Sequence, residues 1–321
     1  MHLLLTLDEK RAAAARSLLS QQPLHIGLDF HGVTVVLATN SPAVVDHVRL
    51  GYGYFEVKPV KRPDITLLVL EAGKERFGEN FTALLPGRKA DDNIVVHLEG
   101  DLIFLLRDLP STAYYTTMNL FGAVMTLLRH KYTCLHAASV SKGARTAILC
   151  GAAHCGKTSL TTNLISQGFS YGSDDVTLLD HKTLNVAAFP RAINVREDDL
   201  EMDPALMAEA RRVGRFGIAD QKRLMVDLGL QVPVSMTPTI ICFPRYSTDE
   251  QQGLHRMENT DAFVGLIENR FHPLGDLGDA EIGKDFDTLG RMVEQCACYR
   301  LTFSDSRAAS RLIAEQLING D

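Results

Sequence analysis

Short apolar segments alternate with turn-forming residues along the first hundred residues of the chain. The turn signals include Asn40-Ser41-Pro42 and Pro86-Gly87, because Gly, Pro, Asn and Ser suit the backbone geometry or the local hydrogen bonds of turns. The segments between them are rich in Val, Ile and Leu, which is typical of β-strands. We expect strands at residues 24–28, 33–38, 65–70, 94–98 and 102–106. The pattern predicts an α+β domain over residues 1–110, and this domain carries no chemical motif.

The spacing of apolar residues changes near Pro110. Apolar side chains recur at helical spacing along residues 112–131, which predicts an amphipathic helix; they are Ala113, Leu120, Phe121, Val124, Leu127 and Leu128. A second helix should run from Lys157 to about residue 167, where Gly168 ends it. Strand-like segments surround it, at residues 134–140, 146–150, 169–172, 176–179 and 184–189. This alternation predicts a second domain, of the α/β class, over residues 111–321.

Charge and composition narrow the function classes. The chain of 321 residues has a formal net charge of -6, which argues against nucleic-acid binding because that binding depends on a clustered excess of Lys and Arg. The first residues do not match a signal peptide, and no stretch reaches the roughly 18 apolar residues of a membrane span. We therefore expect a cytoplasmic protein without a nucleic-acid or membrane partner. Its six cysteines are then expected to be free thiols, with Cys296 and Cys298 in the core.

Residues 151–158 read Gly-Ala-Ala-His-Cys-Gly-Lys-Thr and match the phosphate-binding pattern G-x-x-x-x-G-K-[ST] at every position. A predicted strand precedes the motif and a predicted helix follows it, so loop N–H groups and the helix N-terminus would face the phosphates. Lys157 is expected to neutralise β- and γ-phosphate charge, and the Thr158 hydroxyl to bind Mg²⁺. The alternative is a Gly-rich turn before an ordinary helix. The predicted nucleotide contacts are Gly151, Ala152, Ala153, His154, Cys155, Gly156, Lys157, Thr158 and Ser159.

Two adjacent carboxylates, Asp174 and Asp175, follow the predicted helix. A helix of about 11 residues, at about 1.5 Å each, carries the chain about 16 Å from the loop. Five extended residues, at about 3.3 Å each, bring it back. The pair should therefore lie beside the loop, at the carboxyl end of a short parallel strand, where one carboxylate can hold Mg²⁺ and the other can accept a proton. The alternative is that both are ordinary turn residues.

Three more residues are candidates on position alone. If residues 134–140 and 146–150 pair around Lys142-Gly143, His136 lies nearly opposite Leu149, which is either an active-site position or a packed core position. Arg191 and Arg196 follow the aspartates by about 20 residues, and either could stabilise the charge of a transferring phosphate. The alternative for both is a surface arginine at a strand end.

Three segments together resemble the HPr kinase/phosphorylase family: Leu135-His136-Ala137-Ala138, the loop GAAHCGKTSL, and Gly168-Phe-Ser-Tyr-Gly-Ser-Asp174-Asp175. The closer resemblance is to the HPr-related kinases found beside peptide or small-molecule biosynthesis genes. It covers residues 130–196 well and residues 235–321 loosely. It implies a phosphate-loop kinase domain of the phosphoenolpyruvate-carboxykinase-like type, which transfers the γ-phosphoryl group of ATP, with Mg²⁺, to a hydroxyl. The acceptor would be a serine of a peptide or protein, or a small molecule.

The resemblance also implies roles for individual residues. Asp174 would be the catalytic base, Asp175 a Mg²⁺ ligand and His136 an active-site residue, and members of the family often form homo-oligomers. The sequence departs from the family at His154 and Cys155, where smaller residues are usual. The segment that grips the HPr protein is not recognisable, so HPr is not the expected substrate. Two other functions stay open: a nucleotide-binding scaffold that does not catalyse transfer, and decarboxylation coupled to phosphoryl transfer.

Overall fold

A computed structural model describes residues 3–71, 83–85, 93–98, 100, 102–106, 112–196, 212–218, 221–230, 232–233, 236–271 and 279–319. The chain divides into two compact units. The first contains Met1–Leu127 and Gly214–Lys222, and the second contains Leu128–Val213 and Arg223–Asp321. The division therefore falls between Leu127 and Leu128, where the sequence analysis placed it between residues 110 and 111.

The first unit is built on a seven-stranded sheet. Its strands are β1 (Leu3–Thr6), β2 (Leu24–Phe30), β3 (Val33–Thr39), β4 (Glu56–Val57), β5 (Ile65–Leu70), β6 (Asn93–His97) and β7 (Leu102–Leu106). Their order is β1-β7-β6-β5-β3-β2-β4, and only the β3–β5 pair is parallel among the pairings of this sheet. All five strands predicted from the apolar pattern are present in this sheet.

The helices of the first unit are α1 (Glu9–Gln21), α2 (Pro42–Tyr52) and α3 (Thr112–Leu128), the last residue of which falls in the second unit. The turn signal Asn40-Ser41-Pro42 is the start of α2: the Ser41 hydroxyl accepts a hydrogen bond from the Val44 N–H, and Pro42 occupies the first helical position, where its missing N–H costs nothing. Apolar residues of α1 pack against the sheet in one cluster, among them Ala15, Leu18, Leu68 and Ile94.

The second unit contains a central six-stranded sheet and two smaller ones. Its strands are β8 (Tyr132–Leu135), β9 (Ala137–Lys142), β10 (Arg145–Cys150), β11 (Ser170–Ser173), β12 (Thr177–Asp180), β13 (Val186–Ala187), β14 (Ile193–Arg196), β15 (Arg212–Ile218), β16 (Gln221–Asp227), β17 (Pro238–Tyr246), β18 (Gly253–Arg256) and β19 (Ala297–Phe303). The central order is β11-β9-β10-β17-β19-β18, and the smaller sheets are β13-β12-β8 and β14-β16-β15. Part of the β15–β16 hairpin, residues 214–222, is grouped with the first unit.

The central sheet is covered on both faces, which explains why β10 and β17 read as nearly unbroken apolar runs. These two strands are parallel to each other, and β17 is parallel to β19. The helices are α4 (Lys157–Ser166), α5 (Asn259–Glu268), α6 (Asp279–Gln295) and α7 (Ser306–Asn319). Residues of α4 and α7 share one core cluster with the sheet, and residues of α5 and α6 share the other. The structure thus confirms a mixed α/β class.

The prediction of a single strand over residues 134–140 is wrong. This segment forms two strands: β8 belongs to a small sheet and β9 to the central one, and His136 lies between them. At this point the chain passes from one sheet to the other, and the His136 N–H donates to the Asn269 carbonyl, 2.7 Å away, instead of to a strand ladder.

The register of the hairpin also differs from the prediction. Arg145 pairs with Lys142 and Cys150 pairs with Ala137, so the two-residue turn is Gly143-Ala144. Gly143 has φ of 60°, the positive value that a type II′ hairpin turn requires at its first central position. His136 therefore lies beyond the residue opposite Cys150, level with the start of the glycine loop, and not opposite Leu149.

Among the described residues, no helix is both long enough and apolar enough to cross a membrane.

Candidate functional site

The glycine loop joins the end of β10 to the start of α4, and two of its glycines have steric reasons to be there. Gly156 has φ of 97°, and a Cβ at this position would lie 2.5 Å from Cζ of Phe303. A Cβ on Gly151 would lie 2.8 Å from Sγ of Cys155. His154 also adopts a positive φ, of 66°. The loop conformation therefore depends on glycine at both ends of the segment.

The N-terminus of α4 is suited to an anion. Gly156 occupies the N-cap position and provides no side-chain hydrogen bond to the first turn. The N–H groups at a helix start lack partners within the helix, and the helix dipole adds positive potential there. Ser159 lies in this first turn, two residues after Lys157. The structure therefore brings together the strand, the loop and the helix start that the sequence motif predicts.

Lys157 is buried, and its ammonium group closes onto the loop. Nζ donates to the carbonyls of Gly151 at 2.7 Å and Ala152 at 2.8 Å, and Sγ of Cys155 is 3.9 Å away. These acceptors are neutral, so the buried ammonium group lies at the loop with no carboxylate bonded to it among the described residues. Such a charge is costly unless an anion accompanies it.

Asp174 lies beside the loop, as the helix and strand lengths predict. Both β10 and β11 are antiparallel to β9, so they run in the same direction and end at the same edge of the sheet. Asp174 follows β11 directly and is 4% exposed. Its Oδ2 accepts a hydrogen bond of 3.1 Å from the Thr158 hydroxyl, and its Oδ1 is buried and has no hydrogen-bond partner in the part of the chain that the structure describes.

This environment disfavours the charged form of Asp174. Burial, and then the neighbouring charge of Asp175, raises the pKa of Asp174 to about 8, although the Thr158 hydrogen bond, Lys157 and Arg191 oppose the rise. A buried oxygen without a partner and a carboxyl with a raised pKa are both features of sites that await a cation or move a proton. Residues of this kind fit a bound Mg²⁺, which would supply the missing charge.

Asp175 is more accessible, since 41% of its side chain is exposed. Its Oδ2 lies 4.0 Å from Nη1 of Arg191 and accepts a hydrogen bond of 3.4 Å from Nδ2 of Asn194. The Arg191 carbonyl in turn accepts the Tyr171 hydroxyl at 3.0 Å. Arg191 thus lies near Asp175, and its predicted contact with a phosphate stays a prediction. Asn194 was missed, because it lies on β14 and nothing local in the sequence indicates that this strand reaches the pair.

His136 is half-buried near the same groups. Burial, and then the positive charge of Lys157, lowers the pKa of His136, while Asp175 acts in the opposite direction. The imidazole is therefore neutral at pH 7. His136 therefore lies close enough to Lys157 and to Asp175 to be affected by both charges, although in a different register from the one predicted.

A chain of hydrogen-bonded hydroxyl groups connects the strands on either side of Asp174 and Asp175. The Ser139 and Ser173 hydroxyls are 2.7 Å apart, Ser173 and Thr177 are joined at 3.2 Å, and the Thr177 hydroxyl donates to the Ala137 carbonyl at 3.0 Å. All three side chains are buried. This chain links β9, β11 and β12, and it fixes the backbone immediately before Asp174.

Arg196, the other arginine selected in the sequence analysis, ends β14, and its side chain lies outside the described residues.

No group of three or more His, Cys, Asp or Glu in the described part of the chain is arranged to hold a metal. A Mg²⁺ ion here would rely on Thr158, a carboxylate, phosphate oxygens and water, which is the usual ligand set of nucleotide-bound Mg²⁺.

Asp174→Asn is expected to stabilise the nucleotide-free protein at pH 8. An acid whose pKa is raised on folding binds more protons in the folded state between its two pKa values, so its contribution to stability declines as the pH rises from about 4 to about 8. Asparagine has no carboxyl to ionise, so the stability of the variant should not decline in this way as the pH rises. We expect its melting temperature to exceed that of the wild type by roughly 3 °C or more at pH 8, since 1 kcal/mol corresponds to about 2–4 °C. The difference should shrink toward pH 5.

Asp287→Asn is the matched control, because this aspartate is exposed on α6 and should show no such pH-dependent gain. If Asp174→Asn is less stable than the wild type at pH 8 and both have the same pH dependence, Asp174 is charged in the folded protein.

No model of a known protein family matches the sequence, and a search of curated proteins finds no match to it.

Proposed function

We propose that the site binds ATP with Mg²⁺ and transfers the γ-phosphoryl group to a hydroxyl. The observation that carries the proposal is the hydrogen bond between the Thr158 hydroxyl and Oδ2 of Asp174, at 3.1 Å. It joins the last residue of the phosphate motif to a buried carboxyl, next to a helix start whose N-cap residue, Gly156, provides no side-chain hydrogen bond. This combination is what phosphate-loop enzymes use to hold nucleotide and metal together.

The strand arrangement supports a fold assignment more specific than mixed α/β, namely a phosphate-loop kinase domain of the phosphoenolpyruvate-carboxykinase-like type. An antiparallel hairpin, β9–β10, leads into the loop, and the strand before the aspartates joins the far side of β9. His136, which precedes this hairpin, lies within electrostatic range of Lys157 and Asp175. These are the three sequence segments that carry the resemblance to the HPr kinase family, and they converge on one edge of the sheet.

Lys157 would exchange its partners when nucleotide binds. Its ammonium now donates to two loop carbonyls, and phosphate oxygens are stronger acceptors because they are charged. The loop and the first turn of α4 supply backbone N–H groups to the same phosphates. Bound Mg²⁺ would neutralise part of the charge on the transferring group.

We assign the two aspartates roles that are the reverse of those implied by the resemblance, in which Asp174 is the base and Asp175 a Mg²⁺ ligand. Asp174 shares a hydrogen bond with the hydroxyl that would bind Mg²⁺, and its free oxygen is buried in the same place, so we assign it to the metal. Asp175 is exposed enough to meet an incoming hydroxyl and lies near Arg191, so we assign it as the base. Neutral His136 would then orient the acceptor or the base by a hydrogen bond.

Mg-ATP is expected to raise the melting temperature of the wild-type protein, and Lys157→Ala to abolish most of that rise. A ligand at about 100 times its Kd stabilises the folded state by about 2.7 kcal/mol, and Lys157 is the buried cation of the loop. Lys182→Ala is the control, because its exposed side chain should leave the shift unchanged. An undiminished shift in a folded Lys157→Ala protein would mean that ATP binds elsewhere.

The aspartate variants should separate metal binding from proton transfer. We expect Asp174→Asn to raise the Mg²⁺ concentration required for half-maximal ATP turnover by about tenfold or more, because a hydrogen bond or ligand contact of a charged group is worth roughly 1.5–3 kcal/mol. Asp175→Asn should reduce turnover by roughly 10²–10⁴, the usual contribution of a general base, with little change in Mg²⁺ dependence.

Turnover in these assays is phosphoryl transfer to serine peptides, small alcohols or water. The opposite pattern in the two variants would restore the roles implied by the resemblance. A wild-type protein that binds Mg-ATP and transfers nothing under any condition would instead support the nucleotide-binding scaffold.

His136→Ala is expected to lower turnover by roughly tenfold to a hundredfold, the value of one hydrogen bond to a charged or reacting group, while ATP affinity stays near the wild-type value. Orienting the acceptor or the base does not require a contact with ATP in the ground state, so nucleotide affinity should not depend on His136. His25→Ala, at an exposed position of the first unit, controls for loss of an imidazole in general. Full turnover per folded molecule would leave His136 a packing residue.

A further inference from the structure

The groups assigned to the reaction all lie on one side of the phosphate loop. In the central sheet β9 and β11 lie on one side of β10, and β17 and β19 lie on the other. Asp174 follows β11 and His136 precedes β9. If the γ-phosphate points toward Asp174, as the proposed function requires, the nucleoside end of the same molecule must point toward β17 and β19.

A cleft of about 450 Å³ is present on that other side. It is lined by loop residues 152–155, by residues 243–246 at the carboxyl end of β17, and by Arg300 of β19. Since β10, β17 and β19 are parallel, the cleft lies at the sheet edge formed by their carboxyl ends, where ligands of open α/β sheets bind. Its volume is in the range of small-molecule sites, about 300–1,000 Å³.

One wall of the cleft carries an exposed aromatic ring in a fixed position. Tyr246 is 58% exposed, and its ring meets Phe303 edge to face, with the centroids 5.9 Å apart. Phe303 is itself packed on the loop, because its ring occupies the space where a Cβ of Gly156 would be. The Tyr246 ring is therefore tied to the phosphate loop through Phe303, while more than half of the side chain stays open to a ligand.

Two arginines provide the polar part of the cleft. Arg245 is exposed and paired with Glu250 at 2.7 Å. Arg300 is exposed and lies opposite Phe243 in the β17–β19 register. A planar guanidinium can donate several hydrogen bonds to phosphate or hydroxyl oxygens, and an aromatic face stacks on any base because every base has a π-face.

We propose that this cleft binds the nucleoside part of the nucleotide, with Tyr246 stacking on the base and Arg300 donating hydrogen bonds to the ribose. The proposal rests on the proposed function, because it uses the direction in which the triphosphate lies. It adds a recognition site for the base, formed by β17 and β19, that is separate from the groups around Asp174.

The test compares Mg-ATP with Mg-tripolyphosphate, which carries the phosphate chain without a nucleoside. Isothermal titration calorimetry on the full chain would measure both ligands with wild type, Tyr246→Ala and Tyr246→Phe. We expect Tyr246→Ala to weaken ATP binding by about tenfold or more, the value of one base–aromatic stack, and to leave tripolyphosphate binding unchanged. Tyr246→Phe should keep ATP affinity, because the ring remains.

Tyr54→Ala is the matched control. Tyr54 is 56% exposed and has an edge contact with Phe55 whose centroids are 5.2 Å apart, but it belongs to the first unit, so neither ligand should be affected. Arg300→Ala should also weaken ATP more than tripolyphosphate.

Four results would overturn the inference. ATP affinity that is unchanged in Tyr246→Ala would show that the base does not stack there, and equal losses for ATP and tripolyphosphate would show that Tyr246 acts only through the loop. Wild-type protein that binds tripolyphosphate and not ATP would have a phosphate site without a nucleoside site. If the wild type binds neither ligand, the proposed function fails, and this inference fails with it.

Discussion

The candidate site depends on one feature of strand pairing: β9 is antiparallel to two strands at once, β10 and β11. Because of this arrangement, β10 and β11 run in the same direction although they are not neighbours. The glycine loop that follows Cys150 and the Asp174 carboxyl that follows Ser173 therefore lie at the same edge of the sheet. The buried hydroxyl chain from Ser139 through Ser173 to Thr177 holds the strands in that alignment. This alignment brings the Thr158 hydroxyl within hydrogen-bond distance of Asp174.

That alignment brings two buried ionisable groups to the same edge without pairing them to each other. Lys157 donates to neutral carbonyls, and Asp174 is held with a raised pKa and one oxygen that has no partner. Neither is hydrogen-bonded to an oppositely charged group among the described residues, and a buried charge without such a partner destabilises the folded state. An anion at the loop and a cation at Asp174 would satisfy both. The local electrostatics therefore favour a ligand that carries both signs, and a metal-bound polyphosphate is such a ligand.

The parts of the site that the sequence predicts correctly are local ones. The glycine loop, the end of α4 at Gly168 and the return of the chain to Asp174 each depend on a few consecutive residues and on fixed rises per residue. His136 shows the limit of this reasoning. Moving the turn by one residue, to Gly143-Ala144, shifts the partner of every hairpin residue by two, and the change of sheet at His136 has no pattern in the sequence.

Other features depend on contacts between distant segments, which spacing alone does not give. Asn194 reaches Asp175 only because of the way β14 is paired in its own sheet. Phe303 lies against Gly156 although about 150 residues separate them, and its position follows from the parallel pairing of β17 and β19. The sequence shows that residue 303 is aromatic, but it does not show which glycine its ring will cover.

The same contacts explain how the loop accommodates its two unusual residues. His154 takes a positive φ, and the Cys155 sulfur fills the space above Gly151 where a side chain would otherwise be. Both residues line the cleft on the β17 side of the loop, away from Asp174 and His136. Their side chains therefore form part of the surface that faces β17 and Arg300. The phosphate contacts of the proposed function use backbone N–H groups and Lys157, so these two side chains would change the surroundings of a bound phosphate chain more than its contacts.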